Sequence, residues 1–257
     1  MSTLTLAARD SSTMVRRQLK RLIRYPSMTV QLVVTPVIIL LLFVYVLGGT
    51  LGDGLGGGRS AYVDYVVPGI LLMAAATAAT GTAVMVATDM TEGIIARFRT
   101  MRISRASVLT GHVVGSVVQQ LLGMAVLVGI ALAIGFRPNA TVVEWLAAVG
   151  LLTLFAVAVT WLAVALGLKS PTPEAASNAP MPLVLLPFLG SGFVPTDSMP
   201  TALRWFAEYQ PFTPIMETVR GLLLGAPIGN SAAIATAWCA GIAAVSYLWA
   251  KNTFNKA

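Results

Sequence analysis

Six stretches without Asp, Glu, Lys or Arg alternate along the chain with short charged pieces. They cover residues 25–52, 65–88, 106–136, 145–168, 175–196 and 221–250, and the shortest has 22 residues. A helix needs about 20 apolar residues to cross a hydrocarbon layer about 30 Å thick. Inside that layer every backbone group must be satisfied internally, so helices and closed barrels are the spanning solutions. Barrel strands would alternate in hydrophobicity over roughly ten-residue segments, and these stretches do not. The pattern predicts an all-α polytopic membrane protein with six transmembrane helices. Their cores lie near Val30–Leu47, Val66–Thr88, Val108–Gly135, Trp145–Leu168, Ala179–Phe193 and Ile234–Ala250. The fifth holds Pro180, Pro182, Pro187, Gly190 and Gly192. Proline removes a backbone donor and kinks a helix, so this stretch reads as a broken or re-entrant helix held among its neighbours.

The pieces between the stretches have patterns of their own. From Arg9 to Tyr25, Val15, Leu19, Leu22 and Ile23 keep helical spacing while Arg16, Arg17, Lys20, Arg21 and Arg24 cover the other face. Asp10, Ser11 and Ser12 offer an N-cap. Such a helix lies in the interface with its basic face on anionic headgroups, as a simple anchor or as a docking surface. The glycine-rich piece GGTLGDGLGGGRS reads as a flexible linker. It is no phosphate loop, because that motif needs Gly-Lys and the chain has no such pair. In DMTEGIIARFRTMRISRASVL, from Asp89, the residues Ile94, Ile95, Phe98 and Met101 form an apolar stripe among Arg97, Arg99, Arg102 and Arg105. Asp89 and Glu92, three apart, resemble an acidic capping box. This predicts a short surface helix whose apolar face needs a partner or the membrane. The segment 195–228 is too polar to span and too apolar for a loop. It predicts two short helices at the outer mouth, starting near Ser198 and Pro200 and stopping at Gly225 and Pro227, with Trp205, Phe206, Tyr209 and Phe212 as interfacial aromatics.

Composition agrees. The chain is 56% apolar and 11% charged, with a mean hydropathy of +0.80. A soluble domain carries about 25% charged residues, so a soluble protein is excluded. The net charge of +7 would suggest nucleic acid in a soluble domain; here it faces an anionic membrane surface, and no nucleic-acid partner is expected. With six spans both termini share one side. That side holds Arg9, Arg16, Arg17, Lys20, Arg21, Arg24, Arg97, Arg99, Arg102, Arg105, Lys169, Lys251 and Lys256, against Arg59, Arg137, Arg204 and Arg220 on the other. The positive-inside rule places both termini in the cytoplasm. The first apolar run follows six basic residues and is long enough to span, so no cleavable signal is expected. The single cysteine, Cys239, forms no intrachain disulfide, and the single histidine, His112, makes no zinc site. No charge lies at depth in the six stretches, where transport or catalysis usually leaves one. Small residues from Ala74 to Ala83 permit close helix packing. Glu92-Gly93-Ile94-Ile95-Ala96-Arg97 resembles the opening of the CDP-alcohol phosphotransferases, but the following metal carboxylates are replaced by Ala106, Thr110 and Val114, which removes that reading.

Three features together resemble an ABC exporter permease of the type-2 class, and most of all the daunorubicin/doxorubicin-resistance permeases of actinobacteria. They are the basic N-terminal helix; Asp89 through Arg99 with Met101, Ser104, Val108-Leu109 and Gly111; and Ser191-Gly192-Phe193-Val194-Pro195 with Pro211, Thr213, Pro214 and Arg220-Gly221-Leu222-Leu223. The resemblance implies one transmembrane domain over 1–257, similar to the type V ABC exporters. Within it, 1–28 is the cytoplasmic amphipathic helix, 29–252 the six-helix bundle, 89–106 the coupling-helix loop and 195–228 the re-entrant outer helices. It implies a multi-pass protein of the bacterial plasma membrane. Two separate ATPase subunits would bind ATP and Mg, this chain holding no cofactor and no ATPase activity. A second permease copy, as a homodimer, would complete the pathway for hydrophobic drugs or lipids. Glu92, Gly93, Ile94, Arg97 and Phe98 would contact the ATPase; Arg16, Arg17, Lys20, Arg21 and Arg24 would add a second contact; Phe193, Pro195, Trp205, Phe206 and Pro211 would form an outer gate. The alternatives are a non-transporting membrane scaffold or assembly factor, which would not copurify with an ATPase, and a stand-alone secondary transporter, which predicts buried ionisable residues or inverted repeats.

Overall fold

The structure, a computed structural model, describes residues 26–92 and 105–256, with side chains over 33–92 and 109–254. Every regular element among them is helical. The chain enters through α1 (Pro26–Leu42), passes a π-helical turn at Phe43–Leu47 and continues as α2 (Gly48–Gly54). It then reverses into α3 (Gly58–Thr91), followed by α4 (Arg105–Ile134) and α5 (Val142–Lys169). Short pieces come next: α6 (Pro173–Asn178), α7 (Met181–Leu185) and 3-10 turns at Leu186–Leu189 and Thr196–Ser198. The chain closes with α8 (Thr201–Tyr209), α9 (Phe212–Leu224) and α10 (Ser231–Lys256). We term the end where α3 stops and α4 starts the base, and the opposite end, with the turns at 55–57 and 135–141, the crown.

Among the described residues, five helices are long and apolar enough to cross a membrane: Val33–Gly54, Gly58–Thr91, Leu109–Ile134, Val142–Lys169 and Ser231–Phe254. The expected fifth span is not a continuous helix. Three prolines within eight residues withhold backbone donors, and the chain from Pro173 to Val194 breaks into α6, α7 and tight turns. It still runs along α3, against which α6 and α7 pack. At its end Tyr62 Oη donates to the Phe193 carbonyl (3.2 Å).

The centre of the bundle is α3. At 1.5 Å per residue its 34 residues are about 51 Å long, well beyond the expected core of 66–88. It packs against α1, α2, α4, α5, α6, α7 and α9. The spanning windows of α3 and α5 are 61% and 56% buried, against 22%, 28% and 17% for α1–α2, α4 and α10. The first two are therefore core, and the other three turn large apolar side chains outward, among them Ile38, Leu122 and Leu248. Small residues explain the closeness: Gly167 of α5 lies directly on the Ala83 carbonyl of α3.

The glycine-rich piece is a tight corner and not a linker. Gly56 and Gly58 take φ of 77° and 62°, where a side chain is strained. Gly52 approaches the Gly58 carbonyl so closely that any Cβ would overlap it. At the crown, the two expected short helices are present as α8 and α9, but α9 is not superficial. Phe212, Ile215, Met216, Val219 and Leu223 are buried, and the helix packs against α3, α5 and α10. The connection 135–141 fastens onto it: Asn139 N–H donates to the Leu223 carbonyl (3.0 Å), and Arg137 N–H to Asp64 Oδ1 (3.0 Å).

The start of α5 carries a capping box. Thr141 Oγ1 accepts from Glu144 N–H (3.4 Å), and Glu144 Oε2 accepts from Thr141 N–H (2.6 Å). Thr141→Ala removes the cap acceptor, and we expect a loss of about 1 kcal/mol, read as a lower unfolding midpoint of the purified protein in detergent.

Candidate functional site at the base and crown

The base is framed by the last turn of α3 and the first turns of α4. The segment between them, with Gly93, Ile94, Arg97 and Phe98, lies outside the described residues, as do Arg16, Arg17, Lys20, Arg21 and Arg24. Glu92 is described: it is exposed and caps α3, its N–H donating to the Thr88 carbonyl (2.9 Å). The acidic capping box expected from Asp89 and Glu92 does not form. Asp89 lies within the last turns of α3, and its Oδ2 is 3.1 Å from His112 Nε2 on α4, both side chains 6% exposed. A helix C-terminus disfavours a carboxylate, and the imidazole offsets this. The two helices bearing the segment are thus tied together close to where it leaves them.

Further from the base, Thr82 Oγ1 donates to Ser116 Oγ (3.0 Å), and Gln120 Nε2 donates to Thr160 Oγ1 of α5 (2.8 Å). Apolar packing by Val86, Leu109, Val113, Leu168 and Phe254 surrounds this file. Sequence reasoning set His112 aside as a zinc ligand and missed its partner. The available signal was the spacing of His112, Ser116 and Gln120, four residues apart on one helix face, together with an acid just past a charge-free stretch.

At the crown, Phe193 is buried in an aromatic cluster. Its ring stacks on Phe188 (4.3 Å, 4°) and tilts against Phe43 of the π turn (4.6 Å). Pro195 leads into the 3-10 turn, and Pro211 starts α9. Trp205 and Phe206 are exposed on α8, where the Trp205 ring is 5.3 Å from Tyr209. The proposed gate residues therefore divide: Phe193 belongs to the interior cluster, and Trp205 and Phe206 to the outward rim. Arg204 ties that rim to Asp197 and Glu208, each at 2.7 Å. The hydrogen bond to Glu208 and the charge of Asp197 raise its pKa above the ordinary arginine value.

Sequence reasoning counted Arg220 as an outer surface charge, whereas the structure turns it inward. Its Nη2 donates to the carbonyls of Ser191 (2.7 Å) and Tyr65 (3.2 Å), and its guanidinium carbon is 3.9 Å from the Tyr65 ring centre. Burial lowers its pKa from the usual value, against the opposing pull of Tyr65 and Glu217. Gln210 completes this knot, donating to Thr213 Oγ1 (3.1 Å) and the Leu186 carbonyl (3.3 Å) while Thr213 Oγ1 accepts from Ser191 N–H (3.3 Å). The broken fifth stretch is thereby fastened to α3 and α9. Among the described residues no group of three or more His, Cys, Asp or Glu could hold a metal ion.

One family match spans the charged base segment, the crown motif and every described helix up to α9. The ABC-2 type transporter profile covers residues 10–224. This chain belongs to the ABC-2 type transporter family. The match takes in the basic N-terminal piece, segment 93–104 and the crown as far as α9. The permease is 28% identical over 203 residues to a daunorubicin resistance ABC transporter permease of Streptomyces coeruleorubidus, covering 78% of this chain and 70% of the relative. It is 24% identical over 180 residues to a probable doxorubicin resistance ABC transporter permease of Mycobacterium tuberculosis, covering 70% of this chain and 65% of that one. It is a multi-pass membrane protein and the transmembrane permease subunit of an ABC transporter.

Proposed function

We propose that this permease exports hydrophobic or amphipathic drugs or lipids from the plasma membrane, powered by two separate ATPase subunits that bind ATP and Mg. The observation that carries this is the ABC-2 match over residues 10–224, with relatives named for daunorubicin and doxorubicin resistance. In this reading the broken stretch around Ala179–Phe193 is the fifth of six crossings. Both termini then lie at the base, on the cytoplasmic side by the positive-inside count. The loop 89–106 carries the coupling helix, and Glu92, Gly93, Ile94, Arg97 and Phe98 meet the ATPase. The basic residues from Arg16 to Arg24 add a second contact, on an interface helix. A second copy of this chain completes the pathway, and the crown around Phe193, Pro195, Trp205, Phe206 and Pro211 closes it on the outer side. When the ATPases close, each bundle tilts as a rigid body and the cavity opens outward.

The test is Arg97→Glu with Phe98→Ala in the full permease, probed by pull-down of the purified ATPase subunits and by daunorubicin accumulation in cells. Reversing one charge and removing one apolar anchor should weaken ATPase binding about tenfold or more, equivalent to about 1.4 kcal/mol. Unchanged ATPase binding and unchanged daunorubicin accumulation would overturn the coupling assignment.

A further inference from the structure

Three rungs of buried polar side chains join α3, α4 and α5. They are Asp89–His112 (3.1 Å), Thr82–Ser116 (3.0 Å) and Gln120–Thr160 (2.8 Å), and all six residues are buried. On α4 they follow a four-residue spacing, so they climb one face over about 12 Å from the base. The first two rungs reach α3 and the third reaches α5. Leu40 of α1 and Ala235 and Cys239 of α10 lie in the apolar core with this unit, and the Lys169 ammonium of α5 is 5.9 Å from the Trp249 ring centre of α10.

Stability alone does not account for these rungs. Interhelical hydrogen bonds in membrane proteins contribute little to stability on average. Gln120 moreover keeps its Oε1 buried without a partner, which is destabilising. Valine and leucine at these positions would pack at least as well. What a hydrogen bond adds is direction and short range: it fixes one helix against the next in a single register, where apolar faces can slide.

We propose that this polar seam makes α3, α4 and α5 move as one body when the ATPase subunits displace segment 93–104, with His112, Ser116 and Gln120 as positioning residues. The inference rests on the reading of that segment as the ATPase contact. A load on the segment enters α3 at Thr91 and α4 at Arg105. The Asp89–His112 rung keeps the two ends from separating, and the Gln120–Thr160 rung passes the movement to α5.

The experiment uses the permease with its ATPase subunits in lipid nanodiscs. Spin labels are placed at two exposed sites, Val114→Cys on α4 and Lys169→Cys on α5, and their separation is measured without nucleotide and with ATP–vanadate trapped. In the otherwise native chain the separation stays the same in both states. In the variant Thr82→Val, Ser116→Ala, Gln120→Leu, Thr160→Val, which keeps side-chain volume and removes two rungs, trapping shifts it by about 1–2 Å or more, the scale of helix slippage. The unfolding midpoint and ATPase binding of this variant stay near those of the parent. Should it fail to reach the membrane, Gln120→Leu alone carries the same expectation. A fixed separation in the rung-free variant, or a shifting one in the native chain, overturns the inference while leaving the coupling assignment standing. A native chain that binds no ATPase overturns both.

Discussion

Alanine at Gly69 should lower the stability of the permease by about 2–3 kcal/mol, at the upper end of overpacking costs. An added Cβ would lie 2.6 Å from the Gly192 carbonyl oxygen and 2.8 Å from its Cα. Backbone meets backbone here, so no side chain can rotate away. Gly192 is itself tightly enclosed, since a Cβ built on it would lie 2.7 Å from the Pro187 carbonyl oxygen and 2.9 Å from the Met216 sulfur. The same change at Gly81, on the same helix, meets nothing within 4 Å and should gain up to about 1 kcal/mol from helix propensity. Thermal unfolding of the two variants in detergent decides the matter. If Gly69→Ala is as stable as Gly81→Ala, the close approach of α3 and the broken stretch is wrong.

The second large effect concerns Arg220. Replacing it with methionine keeps much of the side-chain volume but leaves the Ser191 and Tyr65 carbonyls without their donor and removes the contact with the Tyr65 ring. Hydrogen bonds to a charged group contribute about 1.5–3 kcal/mol each, so we expect Arg220→Met to cost about 3 kcal/mol and to reduce drug export by the assembled transporter. Arg220→Lys should recover only part of this, since an ammonium has no planar fork to hold two carbonyls and stack on a ring. Unfolding midpoints and export measured across the three chains test it; a methionine variant with native stability and export would remove Arg220 from the crown's framework.

Much of the fold was legible in the gaps between charges, because desolvating a charge in hydrocarbon is costly enough to print the spans on the sequence. Five continuous helices follow from those gaps, and the prolines at 180, 182 and 187 announced where the remaining stretch breaks. The same counting misplaced residues at the edges. It shortened α3, since Arg59 and Asp64 belong to the helix while ending the charge-free run. It assigned Arg220 and Asp89 to the surface, although each folds inward onto a specific partner that lies far away in sequence. Glycine misled in another way: a run such as 52–58 fits a loose chain or a very tight corner equally well, and only the approach of Gly52 to Gly58 distinguishes them. Ser116, Gln120 and Thr160 barely disturb the hydropathy of their helices, so their pairing left only a spacing to read. The ATPase-contact residues were legible only through family resemblance, since an apolar stripe among arginines serves a membrane surface or a protein groove alike.

The glycine contact also divides α3 unequally, with 11 residues from Gly58 to Gly69 and 22 from Gly69 to Thr91. A stiff rod pinned at such a point is a lever with arms in a ratio of two to one. Travel gathered at the long arm, at the base, arrives at the crown halved in distance and doubled in force.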